Sequence, residues 1–452
     1  MRSDGGTLLS ISSPQKRAEL SPPPPVRDEQ HEARTVRAIR QALATVPFYA
    51  KLGLAAPAPG EDATLAEVLP KLPLLTPAKI RATLPKAWLP EGRDVRAEMA
   101  EGKISVVETG SGDARTRILW DGAWWRRQED RALRVNPRML SAMAGEMGAY
   151  RDSVLWVPER GTGSCGAGDP SYEDRLEGAR LHLNSRQDPA FWTESVMTRM
   201  LDELALHGTV GLLADPFYLD VLARHAISLG RKLDVKGFVA LTRALTTSAH
   251  REAIGKVHDH VVDVFGAREA GILFVEAEDK KLHHAPSTTH VELLPAKVET
   301  PGAENVALVV VTTLDRDVQP LVRYVLGDLV EVAEGAPRYT TVSPIARVSG
   351  KLDDAVVRPD GAILTPAAMD RALAPLSLRA YQVTQREPNA VEIEVVGGSA
   401  DAARDALATL ATGMTVTARS ATAIAAEPNG KYHTSRRHIP LALSSSFDGA
   451  AS

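Results

Sequence analysis

One cysteine, Cys165, stands in a chain of 452 residues. An internal disulfide is therefore excluded, and a thiolate-held structural zinc is disfavoured. Cys165 has no identifiable base partner in the sequence, which makes it a poor nucleophile candidate. There is no apolar run long enough to cross a bilayer and no apolar core of a signal peptide, so the expectation is a cytoplasmic protein without a membrane partner. Excess charge is lacking too. A net charge of −4 gives no electrostatic footprint for a polyanion, and no nucleic-acid partner is expected. The glycine-rich passage Gly161, Gly163, Gly166 and Gly168 follows a strand-like Val154–Val157, yet GxxxxGK[ST] and GxGxxG are both absent. The P-loop and dinucleotide readings fail with them.

What is present implies two or three domains, since the length exceeds what one core usually serves. Residues 1–28 carry Ser, charge and the run Pro22 to Pro25, and are expected to be disordered. Val36, Ile39, Leu43 and Val46 recur at helical spacing over 29–46, before Pro47-Phe48-Tyr49 ends the helix. Ile104–Val107 reads as a strand. Trp120–Ala142 reads as one helix, whose three tryptophans (Trp120, Trp124, Trp125) serve either a core or the border of a pocket. From 190 to 264, helices (Phe191–Leu206, Pro216–Leu229, Ser248–Val257) alternate with short apolar runs (Val210–Leu213, Gly237–Leu241, Val261–Val264), the pattern of a largely parallel α/β sheet. Adjacent His283 and His284 invite a metal, but neighbouring strand residues face opposite ways, which argues against one. After a helix at Ala367–Leu373 the remaining pattern, from Ala380 to Ala421, is βαββ-like, and the Ser- and Ala-rich residues 441–452 read as a loose tail.

The chain is organised around Val306–Asp328, VALVVVTTLDRDVQPLVRYVLGD. A buried strand (Leu308–Val311) is followed by a charged turn, Asp315-Arg316-Asp317. A second extended piece, Pro320–Tyr324, leads to Gly327-Asp328, where glycine's freedom lets the carboxylate sit at a strand end facing a cleft. On local physics alone this is a hairpin with a solvated Asp. The stretch also resembles the "TTL…PLIRYRTGD" segment of adenylate-forming enzymes, closest to the phenylacetate–CoA ligase branch, and further segments are similar in the family's order. Val46–Leu54 resembles its "VPFYR" helix end. Thr109-Gly110-Ser111-Gly112-Asp113-Ala114-Arg115-Thr116 resembles its phosphate loop "SGTTGxPT", with Asp113 and Arg115 as departures. Phe265-Gly266-Ala267-Arg268-Glu269-Ala270-Gly271 looks like "YGSTEAG", with Arg268 for the threonine. Arg347–Asp354 resembles the "GRxDD" hinge with Lys351 for an arginine, and Asn429-Gly430-Lys431 the C-terminal "GK" loop.

The resemblance implies an α/β fold: a large N-terminal domain (29–346) with mixed or parallel sheets flanked by helices, and a small C-terminal α+β domain (347–440) on a hinge at Asp353. It implies ATP held by Thr109, Gly110, Ser111, Gly112, Thr116, Phe265, Gly266, Arg268, Asp328 and Lys351, with Mg²⁺ on Glu269 and Lys431 as the catalytic cation. The implied reaction activates a carboxylic acid as an acyl-adenylate and passes the acyl group to CoA or a carrier protein's phosphopantetheine. Alternatives are direct amide or ester formation, or a non-catalytic nucleotide- or acyl-binding relative.

Overall fold

The computed structural model describes residues 28–54, 64–109, 116–157, 170–184, 188–285, 288–332, 344–427 and 431–450. The expected disordered segment before Asp28, the glycine passage around Cys165 and Gly110–Arg115 of the phosphate loop lie outside these.

A helix over Asp28–Thr45 buries Val36, Ile39, Ala42 and Leu43 on one face, as its periodicity predicts. The turn after it is a packing anchor. Phe48 stacks on Trp88 with ring centroids 4.4 Å apart, and the Tyr49 hydroxyl donates to the carbonyl of Pro320 at 3.0 Å while accepting from the Val322 N–H at 2.9 Å.

Strands β1 (Ile104–Thr109) and β2 (Thr116–Asp121) form an antiparallel hairpin. Trp120 therefore lies on a strand, not at the head of a long helix. The helix expected over Trp120–Ala142 is two helices, Gly122–Ala132 and Pro137–Met143. Asp121 caps the first through the N–H groups of Ala123 and Trp124, and Asn136 caps the second. Pro137 cannot donate to the preceding turn, so the apolar period runs on while the backbone restarts. The three tryptophans pack with Val107 and Ile118 as core.

One mixed sheet of twelve strands holds the large part of the molecule. It comprises β3 (Asp152–Leu155), β4 (Leu176–Glu177), β5 (Arg180–His182), β6 (Gly211–Ala214), β7 (Phe238–Leu241), β8 (Val261–Ala267), β9 (Gly271–Glu276), β10 (Leu282–His284), β11 (Thr289–Pro295), β12 (Val306–Thr313), β13 (Tyr324–Val332) and β14 (Ile345–Lys351). The order is β11-β12-β13-β14-β10-β9-β8-β7-β6-β3-β5-β4. β5, β3, β6, β7 and β8 run parallel. Helices Pro216–Ser228 and Ser248–Val257 make the crossovers β6 to β7 and β7 to β8. The strands from β8 through β9, β10, β14, β13 and β12 to β11 pair antiparallel.

After β14 come the short pair β15 (Val356–Val357) and β16 (Ile363–Leu364), then a separate four-stranded sheet: β17 (Ala380–Glu387), β18 (Ala390–Val396), β19 (Thr415–Ser420) and β20 (Ser435–Arg437), ordered β19-β18-β17-β20. Val383, Ile393, Val395, Ala403 and Leu407 form its own core with helix Ala400–Leu410.

The tail corrects the expectation of a loose end. From β20 the chain returns to the edge strand β11 of the large sheet. There Lys297 donates its N–H to the carbonyl of Ser446 and Asp448 donates to that of Pro295, both at 2.9 Å, and Phe447 is fully buried. A Ser/Ala-rich composition hid one aromatic that is enough to dock the segment.

Candidate active site

The hairpin of the large sheet places its carboxylate differently from the strand end the sequence suggested. Asp328 lies within β13. The register of β12 against β13 jumps from Leu308↔Leu329 to Val310↔Val325, so Leu326, Gly327 and Asp328 bulge, with Gly327 at φ +81°. The bulge turns the Asp328 side chain against Lys351, its cross-strand partner, whose Nζ lies 3.4 Å from both carboxylate oxygens. Asp328 is buried, which pushes its carboxyl above the usual range, while Lys351 pulls it back. The same carboxylate holds Lys351 protonated beyond its ordinary range. One residue earlier, Gly350 has φ +101°, and a Cβ there would come within 2.5 Å of Pro366 Cγ. Only glycine lets β14 pass so close to the helix Pro366–Leu373.

The second motif is the turn from β8 into β9. A Cβ on Gly266 would strike the carbonyl of Gly271 at 2.5 Å, so the tight return needs glycine. Glu269 is buried in this turn, and three segments converge on it. Thr109, at the end of β1, donates its hydroxyl to Oε2 at 2.5 Å, and Tyr324, opening β13, donates to Oε1 at 3.3 Å. Arg316 donates to the backbone carbonyl of Glu269 and, at 2.9 Å, to that of Leu119. The charged turn 315–317 therefore buries its arginine instead of solvating it, and burial lowers that guanidinium to about 10. Arg268 reaches the carbonyl of Glu108 at 3.4 Å. Thr116, across the phosphate loop from Thr109, is buried and accepts from Arg81 at 2.9 Å.

Lys431 arrives from the small sheet's side on a well-anchored stretch. Tyr432 stacks on Phe217 with centroids 3.7 Å apart and donates to Asp188 at 2.6 Å, while His433 Nδ1 lies 3.0 Å from Asp354. Burial, then the positive charges of Lys351, Arg243 and Arg268, press the Lys431 ammonium down to about 8, and Asp215 partly offsets them. Asp353, the expected pivot, sits in the short turn Leu352–Asp354 with its side chain 88% exposed; Arg437 is 3.7 Å away.

Thr109, Thr116, Phe265, Gly266, Arg268, Glu269, Asp328, Lys351, Asp353 and Lys431 all line one cavity of about 1900 Å³. Gly110, Ser111 and Gly112 lie outside the described residues. The same cavity contains groups no motif announced. Asp215 and Arg243 follow β6 and β7, Val157 lies two residues past β3, and β8 carries Phe265 two residues before its end, so four parallel neighbours present their carboxyl ends to one rim. Ligands of open α/β sheets bind at that edge. Asp263 accepts from Thr246 at 2.8 Å and pairs with Arg251 at 3.2 Å, and Arg251 also grips Glu276 at 2.6 Å. The sequence identified Asp215 only as a helix cap, which it is (Phe217 N–H to Oδ1, 2.9 Å). The signal that finds the others is position one or two residues past a short apolar strand. His283 and His284 face apart, the first toward Asp279 and the second toward Thr289.

Compared with known proteins, the chain matches no family model and no curated protein. Its structure is similar to solved structures of a 2-hydroxyisobutyryl-CoA ligase. Against that enzyme in the postadenylation state with 2-HIB-AMP the TM-score is 0.60 at 16% identity, covering 89% of this chain and 90% of that one. With R3-HIB-AMP in the same state it is 0.62 at 16% identity, over 96% and 95%. With 2-HIB-AMP and CoA in the thioesterification state it is 0.53 at 16%, over 96% and 97%. At this identity the likeness is one of fold. The chain has the fold of the adenylate-forming enzymes that its motifs resemble.

Proposed function

We propose that this fold serves an acid–thiol ligase: ATP and a carboxylic acid give an acyl-adenylate and pyrophosphate, and a thiol, either CoA or a carrier protein's phosphopantetheine, then displaces AMP. The observation that carries the reading is convergence. Glu269, Asp328, Lys351 and Lys431 lie far apart in the chain, each in a segment similar to the family's, and all four line one cavity.

The chemistry accounts for the set. A carboxylate is a poor acyl donor until its oxygen leaves as a phosphate. Its attack on the α-phosphorus brings two anions together, so the site must supply fixed positive charge and fixed geometry. Lys431 is the cation for the reacting oxygens. Asp328, steadied by Lys351, accepts the ribose hydroxyls. Thr109, Gly110, Ser111, Gly112 and Thr116 cradle phosphate, Arg268 supplies a charged fork beside them, and Phe265 and Gly266 border the adenine.

Glu269 also fits a magnesium ion. It is a lone carboxylate whose hydrogen bonds from Thr109 and Tyr324 fix both oxygens and leave other lone pairs for a cation, and Mg²⁺ takes few protein carboxylates beside phosphate oxygens and water. When bound, the ion would neutralise triphosphate charge. In the second half-reaction, rotation of the small C-terminal domain about Asp353 withdraws Lys431 and admits the acceptor.

The test separates the halves. Lys431→Ala should lose about a hundredfold or more in acid-dependent pyrophosphate exchange, the cost of one electrostatic contact made in the transition state. Supplied with preformed acyl-adenylate, it should still acylate its acceptor. Equal loss in both steps refutes the two-conformation scheme, and a panel of CoA, carrier protein and amines identifies the acceptor.

A further inference from the structure

The reading above puts Lys431 at the reacting oxygens without saying what seats it there. Its backbone is fixed to its own sheet. The Glu427 N–H donates to the Lys431 carbonyl at 2.8 Å and closes the loop at its base. From β17, the Val383 N–H donates to the carbonyl of Thr434 and the Gln382 side chain to that of His433, both at 2.9 Å. His433 also pairs with Asp354, 3.0 Å away beside the pivot. The backbone of Lys431 therefore moves with the small sheet, and contacts that cross to the large part decide where that backbone sits.

Tyr432 makes such a contact. Its ring lies on Phe217, with centroids 3.7 Å apart and planes 15° from parallel, and its hydroxyl donates to Asp188 at 2.6 Å. Both partners are preset. Asp188 Oδ1 also accepts from the Ala190 N–H at 2.8 Å. Phe217 donates its N–H to the cap Asp215 and meets the His250 ring edge-on at 6.0 Å. A charge-assisted hydrogen bond and a flat ring contact together fix direction as well as distance. Ser248 on Asp370 and Arg371 on Glu331 cross the same boundary, but from the helix Pro366–Leu373. A small rotation tolerated at such contacts is multiplied by the length of the arm to Lys431. Tyr432 stands one residue away, about 3.8 Å along the backbone, so its anchor leaves almost no arm.

We propose that Tyr432 is the positioning residue for Lys431: its stack on Phe217 and its hydrogen bond to Asp188 seat the lysine for the first half-reaction, and both must open before the second. This rests on the acid-activating reading and adds to it the contact that holds the adenylating arrangement. A misplacement of about 1 Å suffices to cost about a hundredfold in rate. Tyr432 touches none of the reacting atoms in this scheme; it acts through Lys431.

The experiment compares wild type with Tyr432→Phe, which keeps the stack, and Tyr432→Ala, which loses both contacts. With the acid that best supports pyrophosphate exchange, kcat should fall about tenfold in Tyr432→Phe and about a hundredfold in Tyr432→Ala, at unchanged KM for ATP. Supplied with preformed acyl-adenylate and CoA or phosphopantetheine, both variants should transfer the acyl group no more slowly than wild type, which also shows that they fold. In a Lys431→Ala background, Tyr432→Ala should change exchange by less than about twofold, because nothing remains to be seated. Equal slowing of both half-reactions, or the full loss repeated without Lys431, overturns the proposal. If no acid supports exchange, the acid-activating reading fails, and the titration of Lys431 decides the seat separately. Lys351, Arg243, Arg268 and Asp215, whose charges act on Lys431, all belong to the large part, so its titration reports docking. Followed by NMR of ¹³C-lysine-labelled protein and assigned with Lys431→Met, the ammonium should titrate near 8 in wild type and move toward 10.5 in Tyr432→Ala. A titration that stays near 8 in Tyr432→Ala overturns the proposal whatever the exchange assay gives.

Discussion

Lys431 carries a stability cost that can be measured without knowing the substrate. Burial and three neighbouring cations hold its ammonium near 8, against 10.5 for a free lysine. At 1.36 kcal/mol per unit, the folded protein at neutral pH loses about 3 kcal/mol by keeping this charge. The sign follows from proton counting. Between pH 8 and 10.5 the unfolded chain holds a proton that the folded chain has released, so this group makes stability rise with pH across that window. Lys431→Met keeps most of the side-chain volume and removes the charge. The variant should be more stable than wild type at pH 7 by up to about 3 kcal/mol, and about 2 kcal/mol of that advantage should vanish by pH 9.5. Urea denaturation of both proteins at the two pH values measures it, because titrating groups that do not interact with Lys431 cancel in the difference. A gap that does not change with pH would refute the reasoning, as would a wild type that is the more stable at pH 7. A gain in stability together with lost pyrophosphate exchange is the trade expected where a charge is kept for chemistry.

Three further outcomes are expected. Asp328→Ala should weaken α,β-methylene-ATP binding by about 10- to 100-fold, the worth of hydrogen bonds to a charged group; unchanged affinity by calorimetry removes Asp328 from the ribose. Gly350→Ala must accept φ +101° and a Cβ 2.5 Å from Pro366, so a loss of about 2–4 kcal/mol is expected by chemical denaturation, and a neutral result contradicts the packing. Phe447→Ala empties a fully buried site at the sheet edge and should cost about 3–5 kcal/mol, with faster proteolysis after residue 440; an unchanged digestion pattern speaks against the docked tail.

The legible parts of this chain were those written locally. Thr76-Pro77, Asp215-Pro216 and Thr365-Pro366 each mark a helix start, and each side chain caps the helix that follows. The motif glycines were legible because a bulge, a tight return or a close crossing demands them. Illegible features depended on partners distant in sequence. Nothing near Arg316 says that it will be buried under Glu269, and nothing near Phe447 says that β11 awaits it. The tryptophans of 120–125 were rightly suspected of being core, but the helix drawn through them ignored Pro137. Trp156, Asp215 and Arg243 become neighbours only when β3, β6 and β7 are laid side by side, an order no single segment contains.

The docked tail has a mechanical consequence. The chain passes from the large sheet to the small one at Leu352–Ala355 and comes back through residues 438–442 to Phe447, which is pinned beside β11. A body held by one strand can turn about any axis through its attachment. Held by two, it swings like a door about the line joining them. In the proposed rotation, the small sheet's path to its docked position is thereby reduced from a volume to an arc, which raises the effective concentration of Lys431 at the cavity mouth without any new attraction. The latch between the two parts joins Ser248 to Asp370, Arg371 to Glu331, and Tyr432 to Phe217 and Asp188.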